Sequence, residues 1–392
     1  MRGSVVKRGD RYSVVVELDR DPITGKRRQK WVSGYRTKRD AERALSEIVA
    51  SVHTGSYLEP TKQTFSVFAP EWLVAIKPTI RPSTHYSYSR NLQLHVLPKL
   101  GSVQLRRIDA GMLNTLYAAL LADGRKDHAG GGLSPRTVRY VHAIIHRALR
   151  DAVKWGRLAR NPADAADPPK ATAASHPEAS TWTADELRTF LERTRTSRFA
   201  VAYHLIATTG LRRGEALGLR WQDLDLDTGK ASIRQTVIAI KHTVMISTPK
   251  TKMGRRTVTL DGGTVAALRE HRKRQAAERL LMGAGWTDND LVFCHPDGTV
   301  LHPERFSRGF LESAARIGLP RVRLHDLRHG WATLALQAGV HPKVVQERLG
   351  HANIGITLDT YNHVVAGMHE DAAQQVAALF RTSVSNPLAE GH

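Results

Sequence analysis

The chain has 392 residues, which suggests two or three domains, and its 41% hydrophobic content is enough for real cores and against wholesale disorder. A formal net charge of +21 points to a polyanion, nucleic acid first, while the single cysteine, Cys294, excludes an intrachain disulfide framework and a cysteine-rich zinc site. Val5-Val6 is all the N-terminus offers toward a signal segment, and no apolar run approaches the roughly 18 residues that span a bilayer, so no membrane association and a cytoplasmic location are expected.

Residues 1–60 read as a small β-rich module closed by a helix. Arg11 to Leu18 and Lys26 to Ser33 alternate like strands, with a hairpin-type turn between them at Asp21 to Gly25. Thr37 and Asp40 have the spacing of a capping box, and Ala41, Ala44, Leu45, Ile48, Val49 and Val52 follow at helical spacing. A helix laid on one face of the sheet leaves the other face free. Arg27, Arg28 and Lys30 fall on the second of these strands.

Residues 61–165 read as helical. Phe65, Phe68, Trp72 and Ile76 mark one helix, Ser83 is expected to cap another, and Asp109 a third through Leu120. Ser134-Pro135 is an N-cap followed by proline at the first helical position, and Gly156 closes the helix that follows. At 100° per residue, Val138, Val141, Ile145, Ala148, Leu149 and Ala152 share one face. Arg136, Arg139, Arg147, Arg150 and Lys154, with Tyr140, share the opposite one. Residues 61–175 hold 17 Lys and Arg against 7 Asp and Glu, and a stripe of one sign repels itself unless an anion meets it. Residues 166–180, rich in Ala and Pro, read as a linker.

Residues 181–392 are mixed. Thr183 is expected to cap a helix through Arg193, Ala200 to Thr208 is apolar and helical, and Lys230 to Leu260 alternates like two or three strands. Helices resume from Thr264. Along this stretch lie, in order, Thr209-Gly210-Leu211-Arg212-Arg213-Gly214-Glu215, then Thr248-Pro249-Lys250-Thr251-Lys252, then His325-Asp326-Leu327-Arg328-His329, then His351, and ten residues later Tyr361. Arginine suits phosphate because its planar fork pairs in bidentate fashion and stays charged, and lysine suits proton donation because its pKa falls near other cations. A phenol is only roughly one part in a thousand ionised at pH 7, so a tyrosine nucleophile needs such neighbours.

The order and local context of these residues resemble the tyrosine recombinases, specifically the phage-type integrases. The resemblance implies a multidomain, mainly α chain with small β-sheets. Its parts would be an arm-type DNA-binding module over 1–60, a helical, SAM-like core-binding domain over 61–165, and a mixed α+β catalytic domain over 181–392 ending in an exchange helix. It implies that Arg212 and Arg328 clamp a scissile phosphate, Lys250 protonates the leaving 5′ oxygen, His325 assists the tyrosine proton and His351 bonds the phosphate. Tyr361 would attack to give a 3′-phosphotyrosine, with Glu215 and His329 supporting the reacting groups. Lys252 competes with Lys250, and Arg213 with Arg212, although the family pattern favours the residue directly after leucine. The partners implied are double-stranded DNA at att-type core and arm sites and three further copies of the chain, passing through a Holliday junction. The resemblance admits an excisionase and a host DNA-bending protein. No cofactor or metal is expected.

Two other readings stand beside it. His325 and His329 have the i, i+4 spacing of helical zinc ligands, but no glutamate follows His325 directly and no third ligand is evident. Gln337 to Gly350, with Gly339 at the turn, resembles a helix-turn-helix, so a sequence-specific DNA-binding regulator without catalysis is the alternative function. The apolar residues Ala372, Val376, Leu379 and Phe380 repeat at helical spacing after Tyr361 and give the expected exchange helix its stripe.

Overall fold

A computed structural model of the chain describes residues 3–18, 25, 28–53, 62–127, 130–170, 181–249, 252–351, 353–355 and 377. It separates into two units, Met1–Ser175 and His176–His392. Lys250, Tyr361, Arg27, most of the expected turn at Asp21 to Gly25, and the stripe from Ala372 to Phe380 lie outside the described residues. Among the described residues no helix is long and apolar enough to cross a membrane.

In the first unit, β1 (Gly3–Arg8), β2 (Arg11–Leu18) and β3 (Arg28–Tyr35) form an antiparallel sheet in the order β1-β2-β3, followed by α1 (Lys38–His53). Alternation sends Val14 and Val16 to one face, where they are fully buried with Ala41 of α1, and Leu45 and Ile48 pack beside them. The Thr37 hydroxyl accepts from the Asp40 amide at 3.1 Å and donates to the Asp40 carboxylate at 2.7 Å, which starts α1. The backbone register sets Lys30 opposite Val16 and Arg28 opposite Leu18. The other face carries Arg8, Ser13, Val15, Trp31 and Ser33, and there the Arg8 guanidinium lies 4.7 Å from the centre of the half-exposed Trp31 ring.

The rest of this unit is α2 (Phe65–Ile76), α3 (Pro82–Asn91), a π-helical run Leu92–Val96, α4 (Leu97–Leu100), α5 (Ala110–Asp123) and α6 (Pro135–Lys154). Asp109 caps α5 by accepting from the Met112 amide at 2.8 Å, and Ser134 caps α6 by accepting from the Thr137 amide at 3.3 Å. Ser83 is not a cap: α3 begins at Pro82, with Arg81 in the cap position, because proline's preset φ and missing N–H let the helix start one residue earlier. The apolar face of α6 closes the core against Phe65, Phe68, Trp72, Leu113 and Leu116. Gly156, at φ +66°, ends it in the left-handed conformation that glycine adopts without strain.

The second unit runs α7 (Ala184–Arg193), α8 (Ala200–Thr209), α9 (Arg213–Leu217), β4 (Leu224–Asp225), β5 (Lys230–Ile233), β6 (Thr236–Ile240), β7 (Thr243–Ser247), β8 (Arg256–Thr259), α10 (Gly262–Met282), α11 (Pro303–Ile317), α12 (Asp326–Gln337) and α13 (Pro342–Leu349). Thr183 and Glu186 make a full capping box on α7. β4, β5 and β8 form one antiparallel sheet and β6-β7 a separate hairpin. The stretch from Lys230 to Leu260 therefore holds four strands, one or two more than alternation suggests, because short turns at Arg234-Gln235 and Lys241-His242 break it without disturbing the pattern. Helix α8 runs through the core, with Tyr203 packed among Phe190, Phe306 and Phe310. Helices α12 and α13 pair through Ala332, Leu336, Val345 and Leu349, with Gly339 at φ +77° in the turn.

Candidate active site

Helix α8 ends at Gly210, whose φ of +67° turns the chain sharply. A Cβ there would sit 2.7 Å from Leu349 and 3.1 Å from Trp331, so both conformation and space call for glycine. The turn buries Leu211 and separates the two arginines that follow. Arg213 donates to the Ser307 hydroxyl on α11 at 2.7 Å. Arg212 turns instead toward Glu215 and the end of α13, with its side chain 40% exposed.

Glu215 is almost fully buried. Its carboxylate accepts from the Arg212 backbone amide at 3.0 Å and from Arg212 Nη1 at 2.7 Å. It also accepts from Arg256 Nη2 at 2.9 Å and Nη1 at 3.2 Å. Burial pushes its pKa up, but the guanidinium of Arg256 and then that of Arg212 outweigh burial and hold the carboxyl below its usual range.

The end of α13 organises the rest. A helix leaves its last carbonyls without intrahelical partners, and they carry partial negative charge. Here four successive carbonyls each receive a side chain. The Arg348 carbonyl accepts from Arg256 Nε at 2.6 Å, and that of Leu349 from Arg328 Nη2 at 2.6 Å. The Gly350 carbonyl accepts from Arg212 Nη2 at 3.4 Å, and that of His351 from Gln346 Nε2 at 3.0 Å. Arg328 is 3% exposed and its Nη1 also donates to the Gly210 carbonyl at 2.7 Å, so it joins the end of α8 to the end of α13. Gly350, at φ +66°, lets the chain leave α13 toward His351.

His325 stands at the N-cap position of α12 and His329 one turn on, their rings 5.2 Å apart and edge to face. His325 keeps an open edge to solvent. The protein packed against the rest of its ring, then His329 and Arg328, hold its pKa down to about 4. His351 is half-buried, and burial followed by Arg328 and Arg212 lowers it likewise to about 4. Both imidazoles are therefore neutral at pH 7, each with one donor and one acceptor nitrogen.

Of the residues singled out from the sequence, Arg212, Glu215, Arg328 and His351 come together around the ends of α8 and α13, with His325 and His329 on the helix that carries Arg328. Arg256 and Arg348 were not anticipated. Arg348 packs over the Trp331 ring at 5.0 Å and donates to the Thr208 carbonyl at 3.3 Å. The arginine pair in Arg255-Arg256 was the available signal, but its partners are 41 and 92 residues away. Among the described residues no group of three His, Cys, Asp or Glu is placed to hold a metal ion.

On α6 in the first unit, Arg136, Arg150 and Lys154 are exposed, and so is Tyr140. Arg139 donates to the Pro169 carbonyl at 2.7 Å, and Arg147 lies 5.7 Å from the centre of the Tyr88 ring. These two charges are thus drawn partly into packing of their own unit.

Residues 181–367 match the phage integrase family, residues 4–52 an arm DNA-binding domain, and residues 64–120 the N-terminal SAM-like domain of phage integrases. The chain is 26% identical to a tyrosine recombinase XerC-like protein of Caldanaerobacter subterraneus subsp. tengcongensis, over 96% of this chain and 98% of that one. It is also 26% identical to the ICEBs1 integrase of Bacillus subtilis, over 94% and 97%. The Tn1549 transposon integrase in complex with a circular intermediate DNA shares the fold with a TM-score of 0.63 at 19% identity, over 80% of this chain and 99% of that one. A lambda integrase tetramer bound to a Holliday junction does so with a TM-score of 0.56 at 17% identity, over 91% and 94%.

Proposed function

The chain belongs to the phage integrase family, and from that premise we propose that it is a site-specific tyrosine recombinase that integrates or excises a mobile element. The Tyr361 phenol oxygen attacks the scissile phosphorus, a 3′-phosphotyrosine bond forms, and the 5′ oxygen leaves with a proton from Lys250. A 5′ hydroxyl from the second DNA site then attacks the phosphotyrosine and releases Tyr361. Two such exchanges, one strand pair at a time, pass through a Holliday junction, and the phosphotyrosine conserves the bond energy. Arg212 and Arg328 stabilise charge on the non-bridging oxygens, where preorganised cations act most strongly on the transition state. Neutral His351 donates to the same phosphate, and His325, also neutral at pH 7, turns its acceptor nitrogen to the phenol proton.

The observation that carries this reading is the meeting of Arg212, Arg328 and His351 on three consecutive peptide units, Leu349 to His351, ten residues before Tyr361. The regulator alternative is not favoured: the end of the second helix of its helix-turn-helix is taken up inside the arginine cluster, which that reading leaves without a role. Residues 1–60 are assigned to arm sites and residues 61–165 to core sites, joined through residues 166–180 to the catalytic residues 181–392. Four copies assemble on two duplexes, with the apolar stripe from Ala372 to Phe380 as the joining element, and an excisionase and a DNA-bending protein set direction. The test is Tyr361→Phe on a nicked, labelled duplex. The variant should bind as the parent does and form no detergent-resistant adduct; an adduct that persists moves the nucleophile elsewhere.

A further inference from the structure

Arg256 opens β8, at the far end of the segment that carries Lys250. Its side chain is 8% exposed, so it is not presented to a ligand from solvent. It spends its donors inward on three different segments. Nε binds the Arg348 carbonyl at the end of α13 at 2.6 Å. Nη1 and Nη2 grip the two oxygens of Glu215 on α9 at 3.2 and 2.9 Å. Nη1 also binds the Gly254 carbonyl, in the short turn that follows Lys250 and Thr251, at 3.3 Å. Those three segments lead to His351, to Arg212 and to Lys250.

From this geometry we infer that Arg256 is a positioning residue for strand cleavage: it locks Glu215, which in turn holds the Arg212 guanidinium in the pose that meets the scissile phosphate. The inference rests on the recombinase reading given above. Arg212 by itself is poorly constrained, being 40% exposed and tied to α13 only by a 3.4 Å bond. Its one short side-chain bond is to Glu215, at 2.7 Å. Glu215 has no freedom to follow Arg212, because both its oxygens are also held by Arg256. Arg256 is fixed in turn by backbone on two sides, so the chain of bonds ends on atoms that cannot rotate away.

The arrangement needs an arginine. Only a planar fork reaches a carboxylate with two Nη groups and a carbonyl with Nε at once; a lysine keeps the charge and three donors, but all three sit on one nitrogen and cannot span partners spread around the whole guanidinium. Arg256→Lys should therefore keep the buried charge pair and loosen the geometry. Misplacing a catalytic contact by about 1 Å costs on the order of 100-fold in rate, so a loss of about 10- to 100-fold in single-turnover cleavage is expected, with the affinity for the duplex unchanged within about twofold.

A purely structural ion pair would also slow a weakened enzyme, so the test compares two substrates. One is a nicked duplex with the ordinary phosphodiester. The other carries a neutral methylphosphonate at the scissile position, where an arginine clamp has less charge to stabilise. Arg256→Lys should be slow on the first and should approach the parent rate on the second. Equal slowing on both substrates, or cleavage of the phosphodiester within twofold of the parent, overturns the inference. If the parent forms no adduct on either substrate, the recombinase reading itself has failed, which is a different result. Should circular dichroism show that Arg256→Lys does not fold, Arg256→Gln, whose amide nitrogen takes the place of Nε beside the Arg348 carbonyl, is run through the same comparison with the same two overturning outcomes.

Discussion

Replacing Glu215 by glutamine removes one charge and almost no volume, and the structure allows its cost to be worked out. The carboxylate is 3% exposed and sits between Arg256, itself buried, and Arg212, which is 40% exposed. Removing one partner of a buried ion pair costs about 3–5 kcal/mol, because the remaining charge stays buried without its counterion. The Arg212 share is screened by solvent and the glutamine oxygen still accepts one bond, so the lower end, about 3 kcal/mol, is expected. For a unit of some 200 residues each kcal/mol moves the melting midpoint by about 2–4 °C, which gives a fall of roughly 6–12 °C. The effect also has a pH signature. The Glu215 pKa is depressed from its usual 4.5 in the folded state. The stability it contributes is thus fully present above about 4.5 and lost as pH falls through the lower folded value. The gap in melting midpoint between Glu215→Gln and the parent should hold from pH 8 to 5 and close below 4.5. A midpoint at pH 7 within 1 °C of the parent would refute the reasoning, and so would a gap that does not narrow in acid.

Four further outcomes are expected. Gly350→Ala places a Cβ 2.8 Å from the Met253 carbonyl oxygen at φ +66°, whereas Gly339→Ala at φ +77° meets nothing within 4 Å; both incur about 1–2 kcal/mol of left-handed strain, and urea unfolding should show the larger loss for Gly350, equal losses counting against the contact. In DNA-free protein His325 and His351 should titrate by NMR well below 6.5, near 4, and a midpoint of 6 or above for either would mean that the packing and the arginines do not act on its ring as described. Lys250→Ala should be rescued by a duplex with sulfur at the 5′ bridging position, which leaves without a proton; rescue of Lys252→Ala alone would transfer the acid to Lys252. Reversing the exposed Arg150 and Lys154 to glutamate should flatten the salt dependence of core-site binding by about one unit per lost phosphate contact, and an unchanged slope would place the α6 face away from DNA.

What could be read ahead of the structure depended on how local its cause was. The caps of α5, α6 and α7 were legible because Asp109, Ser134 and Thr183 each bond an amide three residues on. Ser83 misled because Pro82, one residue before it, offered a better start. Which way Arg212 and Arg213 face could not be read from two adjacent identical side chains, although the family pattern favours the residue after leucine. The positive φ of Gly210 turns the chain so that Arg212 faces α13 and Arg213 faces Ser307. Periodicity located the α6 stripe but could not show that Arg147 is drawn toward Tyr88, 59 residues away, or Arg139 toward Pro169.

Arg256 is the furthest case. Three of its four acceptors lie beyond its own turn, and one of them is a backbone carbonyl, which any residue supplies. No side-chain pattern can announce such a partner. The same reasoning explains why the residues proposed to react stood out in the sequence while Arg256 did not. A group that must do chemistry is restricted to a few residue types, so its identity shows in the sequence. A group that holds another in place is restricted by position, and the end of α13, where Arg256, Arg328 and Arg212 bind the successive carbonyls of Arg348, Leu349 and Gly350, becomes visible as a scaffold only once the chain is folded.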